Sequence, residues 1–138
     1  MAIPGVPLAV VGAHLSGQPL NHQLTDRDGR LVRTTTTAPV YRLHALATDP
    51  PKPGLVRVDT GGAAIEVEVW DLAPAAFAGF VDAIPAPLCI GRVRLADGTD
   101  VAGFLCEPVA LSGAPDITAH GGWRHYLAHL ASPGDPPR

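Results

Sequence analysis

The stretch Ala63–Pro85, AAIEVEVWDLAPAAFAGFVDAIP, changes period in mid-course. Ile65, Val67 and Val69 alternate with Glu66, Glu68 and Trp70, the two-residue repeat of a strand with one face on the core. Pro74 then opens a second pattern, in which Phe77, Phe80, Val81 and Ile84 recur at helical spacing until Pro85 stops it. A strand that runs straight into a short helix predicts a fold that mixes both elements.

Upstream, VPLAVVGAH (Val6–His14) is a continuous apolar run that ends at Gly12 and reads as a buried strand. Pro19 to Val32 is a polar segment with Leu20 and Leu24 at helical spacing, closed by an Asp28-Gly29 turn. TTTTAPVYRLHAL (Thr34–Leu46) is strand-like in its second half, where Tyr41, Leu43 and Ala45 alternate with Arg42 and His44. The prolines of DPPKPG (Asp49–Gly54) predict irregular chain there, released into a short strand at LVRVD.

Downstream, GRVRLADGTDVAGFLCEP (Gly91–Pro108) reads as a hairpin turning near Asp97-Gly98. A final helix is expected over Trp123–Leu130, with Trp123, Tyr126, Leu127 and Leu130 as its apolar face. SPGDPPR (Ser132–Arg138) reads as a frayed tail. The total is about six strands and a few short helices, with hairpins dominant. The expectation is therefore one α+β domain over residues 1–138, built on a small mixed β-barrel with flanking short helices.

The composition agrees with this. A chain of 138 residues that is 46% hydrophobic can bury a core without staples, and 15 prolines with 15 glycines preclude long helices. A net charge of -3 without a Lys/Arg cluster argues against nucleic acid, and no 18-residue apolar run suggests a membrane span. Cys89 and Cys106 form no zinc spacing, which predicts inert core thiols in a reduced, cytoplasmic protein and leaves one disulfide open. No leader-like segment opens the chain.

Candidate sites follow from residue chemistry. VVGAHLSGQPLNHQL (Val10–Leu24) passes from strand to glycine to a small-residue turn, a form that exposes backbone N–H groups to an anion and sets His14 beside it. The same residues also read as a tight turn with a solvated His14. Glu66 and Glu68 share a strand face that is either its wet side or, in a curled sheet, part of a polar pocket. His125 and His129 lie four apart but point away from the apolar stripe, so neither metal nor cofactor is expected. Ser16 and Ser112 lack a GxSxG elbow. The loop holding Asp116, Thr118 and His120 reads either as a second anion site or as an ordinary helix start.

Taken in order, VVGAHLSGQPLNHQL, TAPVYRLHAL, PPKPGLVRV, AIEVEVWDL, IPAPLCIGRVRLADG, GFLCEP and DITAHGGWRHYL resemble the C-terminal domain of allophanate hydrolase over about residues 8–130. More distantly, the first of these resembles the YGTLxxGxPNH loop of the gamma-glutamylcyclotransferase-like superfamily. Val11 stands where that loop has tyrosine, and Ile84 to Leu88 lacks the acid–base glutamate of the cyclotransferases. Cyclotransfer is thereby disfavoured and kept as the weakest alternative. The amidase signature of allophanate hydrolase is also absent.

The resemblance implies a free-standing domain of urea and allophanate metabolism that binds a small carboxylated nitrogen compound. It further implies decarboxylation of N-carboxycarbamate, with His14 as proton donor or electrophilic contact. Backbone groups of Gly12, Ala13 and Leu15 would cradle the anion and Arg57 would clamp a carboxylate, with Asn21 and Glu68 as further pocket residues. The alternative is a non-catalytic module that holds an amidase partner or drives homo-oligomerisation.

Overall fold

The computed structural model describes residues 3–132. Its elements are β1 (Val6–Val10), α1 (His22–Thr25), β2 (Arg30–Thr36), β3 (Tyr41–Leu46), β4 (Lys52–Arg57), β5 (Glu66–Leu72), α2 (Pro74–Asp82), β6 (Leu88–Arg94), β7 (Asp100–Cys106) and α3 (Trp123–Ala131). The class is α+β. Most of the expected tail, residues 133–138, lies outside the described residues.

Five strands form one mixed sheet in the order β2-β5-β1-β7-β6, and β3 with β4 forms a separate two-stranded sheet. β1 is central, antiparallel to β5 and parallel to β7. That position explains its unbroken apolar run, since Leu8, Ala9 and Val10 are all buried.

The sheet does not close into a barrel. Its edge strands meet only at one end, where Ala38 N–H donates to Arg94 O at 2.9 Å and Ala96 N–H to Thr36 O at 2.9 Å. Thr37 and Leu95 form an isolated bridge between those two bonds. The rest of β2 stays an open edge, and its residues from Arg30 to Thr34 are exposed. No alternation marks such a strand, which is why only the second half of Thr34–Leu46 looked extended.

The proline-rich segment is also more regular than expected. Lys52, Pro53 and Gly54 begin β4, paired with Leu46, Ala45 and His44. In a two-stranded ribbon a proline needs no inner partner, so strand pairing survives it. The ribbon is anchored by Arg94 N–H donating to the buried Tyr41 Oη at 2.8 Å and by Leu43 N–H donating to Thr118 Oγ1 at 2.8 Å. Its other end lies over β7, with no room for a side chain on Gly54: a Cβ there would sit 2.7 Å from Cys106 Sγ.

α2 keeps its predicted start at Pro74 but ends at Asp82, and only Phe80 in it is buried. In α3 the expected apolar face is shorter than the helix: Trp123 is buried, whereas Leu130 is 60% exposed. Cys106 is a buried thiol as expected, but Cys89 is exposed; both are free. β5 alternates as read, yet Glu68 and Trp70 on its polar face are buried too.

Candidate functional site

Gly12, two residues beyond β1, lies against Pro53 at the start of β4. A Cβ on Gly12 would lie 2.2 Å from Pro53 Cδ. The chain then turns tightly, with Leu15 N–H donating to Gly12 O at 3.0 Å and Leu20 N–H to Ala13 O at 2.8 Å. Ala13 and Leu15 point into the core. His14, between them, is also buried.

His14 forms part of the wall of a cavity of about 280 Å³. Its ring stacks on Phe104, with centroids 4.9 Å and planes 21° apart, and meets Phe80 edge-on at 5.1 Å. Nε2 lies 2.8 Å from Gln23 Oε1, so it carries the ring proton and leaves Nδ1 as a lone-pair site. Burial among these rings pulls the His14 pKa down from 6.5 to about 4, with a smaller push from Lys52 that the Gln23 bond opposes. At neutral pH the ring is therefore uncharged. An uncharged ring has one N–H, and Gln23 holds it.

The cavity's charges come from elsewhere. Arg27, which follows α1, and Lys52, at the start of β4, both line it, together with apolar groups such as Ile84, Pro85 and Leu88. No carboxylate is among its lining residues. Sequence reading did not place Arg27, Lys52, Gln23 or Phe104 at a site, and took Phe80 only as part of a helix's apolar stripe. The only signal for Lys52 was that it is the chain's sole lysine, held between prolines.

The remaining candidates lie at different places. Asn21 supports the loop by donating from Nδ2 to His14 O at 2.8 Å. His22 turns back to Pro19 O at 3.0 Å. Arg57 is exposed at the far end of β4, about 16 Å along the strand from Lys52, and so does not reach this cavity. Gly12 and Ala13 flank His14 beside a small neighbouring hollow. In their loop the Leu15 N–H is used within the turn and the Ser16 N–H is given to Glu68, so neither is free for an anion.

Glu68 is 3% exposed and fully committed behind the loop. It accepts from Ser16 N–H at 2.8 Å, Ser16 Oγ at 3.0 Å, Trp70 Nε1 at 3.1 Å and Arg124 Nη2 at 2.9 Å. Desolvation opposes its ionisation, but these bonds outweigh that and hold its carboxyl below the usual value. Arg124 also reaches Ser16 O at 2.7 Å and Glu66 Oε1 at 3.2 Å. Glu68 thus fastens the His14 loop instead of lining the cavity. Its neighbour Glu66 lies 3.6 Å from the exposed His125.

Asp116 pairs with Arg42 at 2.6 Å and accepts from Thr118 N–H at 2.9 Å, so that loop is a tied turn before α3. Among the described residues no three His, Cys, Asp or Glu side chains converge to hold a metal ion. No helix among them is long and apolar enough to cross a membrane.

The family model of the allophanate hydrolase C-terminal domain matches residues 6–128. The urea amidolyase of Saccharomyces cerevisiae is 42% identical over 130 residues, which are 91% of this chain but 7% of that protein. The crystal structure of Kluyveromyces lactis allophanate hydrolase superposes with a TM-score of 0.88 at 41% identity, over 91% of this chain and 21% of that one. A uropathogenic E. coli-specific protein superposes with a TM-score of 0.85 at 38% identity, over 93% of this chain and 98% of that one. An AIG2-like protein from Mus musculus, 16% identical with a TM-score of 0.59, shares the fold. The gamma-glutamylcyclotransferase-like architecture expected from the sequence is the one observed, with an open sheet in place of a barrel.

Proposed function

This chain belongs to the allophanate hydrolase C-terminal domain family, and from that premise we propose that its cavity binds a small dianionic nitrogen compound and speeds loss of carbon dioxide from N-carboxycarbamate. The observation that carries this reading is the pairing of two cationic side chains, Arg27 and Lys52, with a neutral imidazole in one cavity of about 280 Å³.

The chemistry asks for little more. N-carboxycarbamate bears two carboxylates on one nitrogen, and it fragments when one of them is released as carbon dioxide. The departing carboxylate loses its charge, so a poorly solvated seat favours its exit. Phe80, Phe104, Ile84 and Leu88 make such a seat. The carboxylate that stays needs a cation, and Arg27 offers planar, two-pronged bonding. His14 Nδ1 is an acceptor for the substrate N–H. A reaction using a carboxylate as acid–base is disfavoured, because the lining residues supply none and Glu68 lies outside the cavity.

The test is to mix the purified protein with freshly generated N-carboxycarbamate and follow carbon dioxide release. Acceleration over buffer is expected, and His14→Ala should remove most of it. A rate equal to buffer overturns the catalytic reading.

A second reading rests on one fact: the matched segment is a minor part of the yeast urea amidolyase and of the K. lactis allophanate hydrolase. On it, the domain is a binding partner of an amidase or of another copy of itself. Stable co-purification with an amidase, unaffected by His14→Ala, is the expected signature. The biological setting is urea and allophanate metabolism in a cytoplasmic compartment.

A further inference from the structure

Lys52 is the only lysine in the chain, and it is 7% exposed. The ion pairs of the described residues engage Arg30, Arg33, Arg42, Arg94, Arg124 and His125, but not Lys52. Among the described residues no side-chain nitrogen or oxygen sealed from solvent lacks a partner, so the Lys52 ammonium keeps contact with solvent, and Lys52 lines the cavity. A nearly buried cation without a protein counter-charge is costly, and a bound anion offsets that cost. Its place is also fixed. Pro53 follows it against Gly12, and Lys52 is registered opposite Leu46.

We propose that Lys52 is the acid of the decarboxylation, donating a proton to the substrate nitrogen as the C–N bond breaks. The inference rests on the decarboxylase reading. The bonding electron pair stays on nitrogen and takes the lysine proton. Carbon dioxide leaves, and carbamate and a neutral Lys52 remain. The amine then regains a proton from water.

The other two candidates are unsuited to the task. Arg27 does not release a proton in a protein. His14 has its single N–H turned to Gln23, and burial between Phe80 and Phe104 disfavours adding a second. Of the three, only Lys52 carries an N–H that it can give up as a proton and that no recorded protein bond holds.

The experiment compares the wild-type chain with Lys52→Arg and Lys52→Ala, reading carbon dioxide release from N-carboxycarbamate and calorimetric binding of malonate, a stable analogue with two carboxylates. Lys52→Arg keeps the charge, so malonate binding is expected to stay close to wild type while the acceleration falls about 100-fold. In Lys52→Ala, added methylammonium should restore part of the rate, and tetramethylammonium, a cation without a proton to give, should not. Full acceleration by Lys52→Arg, or equal rescue by both ions, overturns the lysine's role. A wild-type chain that leaves the rate unchanged instead removes the decarboxylase reading itself.

Discussion

The His14 ring lies nearly flat on Phe104, with centroids 4.9 Å and planes 21° apart. The contact is part of the burial that lowers the His14 pKa to about 4 and keeps the ring uncharged at neutral pH. An imidazole held in that way gains little from being charged.

The first prediction follows from that cost. His14 titrates near 6.5 when unfolded and at about 4 when folded. Between those values the unfolded chain binds the extra proton, so stability is full above pH 6.5 and is lost as the pH falls towards 4. The interval is worth about 3 kcal/mol. Urea unfolding at pH 7.5 and pH 4.5 should show this slope, and His14→Gln should flatten it. The bonded carboxylates of Glu68 and Asp116, with lowered pKa values, lose their contribution only at lower pH.

Arg27 and Arg57 separate the cavity from the strand's far end. Arg27→Met should weaken malonate binding about 10-fold, the loss of one charge-assisted contact. Arg57→Ala should leave it unchanged. Calorimetry on the two variants decides, and the opposite ranking would transfer the anion site to the end of β4.

Gly12 has no space for a side chain, since its Cβ would meet Pro53 Cδ at 2.2 Å. Gly12→Ala must push the start of β4 outwards. A loss of about 1–3 kcal/mol in chemical unfolding is expected, as for other overpacked sites. Malonate affinity should fall as well, because Lys52 is next to Pro53. Retained stability together with retained affinity would show that the two segments move independently.

Glu68 is predicted to act as a fastening for the loop. Glu68→Gln loses part of the Ser16 and Arg124 bonding and should cost about 1–3 kcal/mol in stability. Arg124 is partly exposed, which keeps the penalty below that of a fully buried pair. Carbon dioxide release per folded molecule should survive at temperatures well below the melting transition. A variant that is fully folded, with malonate bound normally, yet inactive would make Glu68 a participant in the chemistry.

What the sequence determined by itself was local. The alternation of Ile65, Val67 and Val69, the stripe opened by Pro74 and the break at Gly12 each report whether a face is buried, and burial repeats at the period of its element. The ordered motifs also pointed to the family and to the loop of His14. The open edge β2 was illegible because a strand exposed over most of its length has no period. Lys52, Arg27 and Glu68 were misplaced or unnoticed for another reason. Their environments are built by chain far away: Pro53 on Gly12, and Arg124 across the sheet on Glu68. Only tertiary packing decided that a lysine among prolines would be nearly buried beside a neutral histidine, because register and close approach, unlike periodicity, are set by partners that no short window contains.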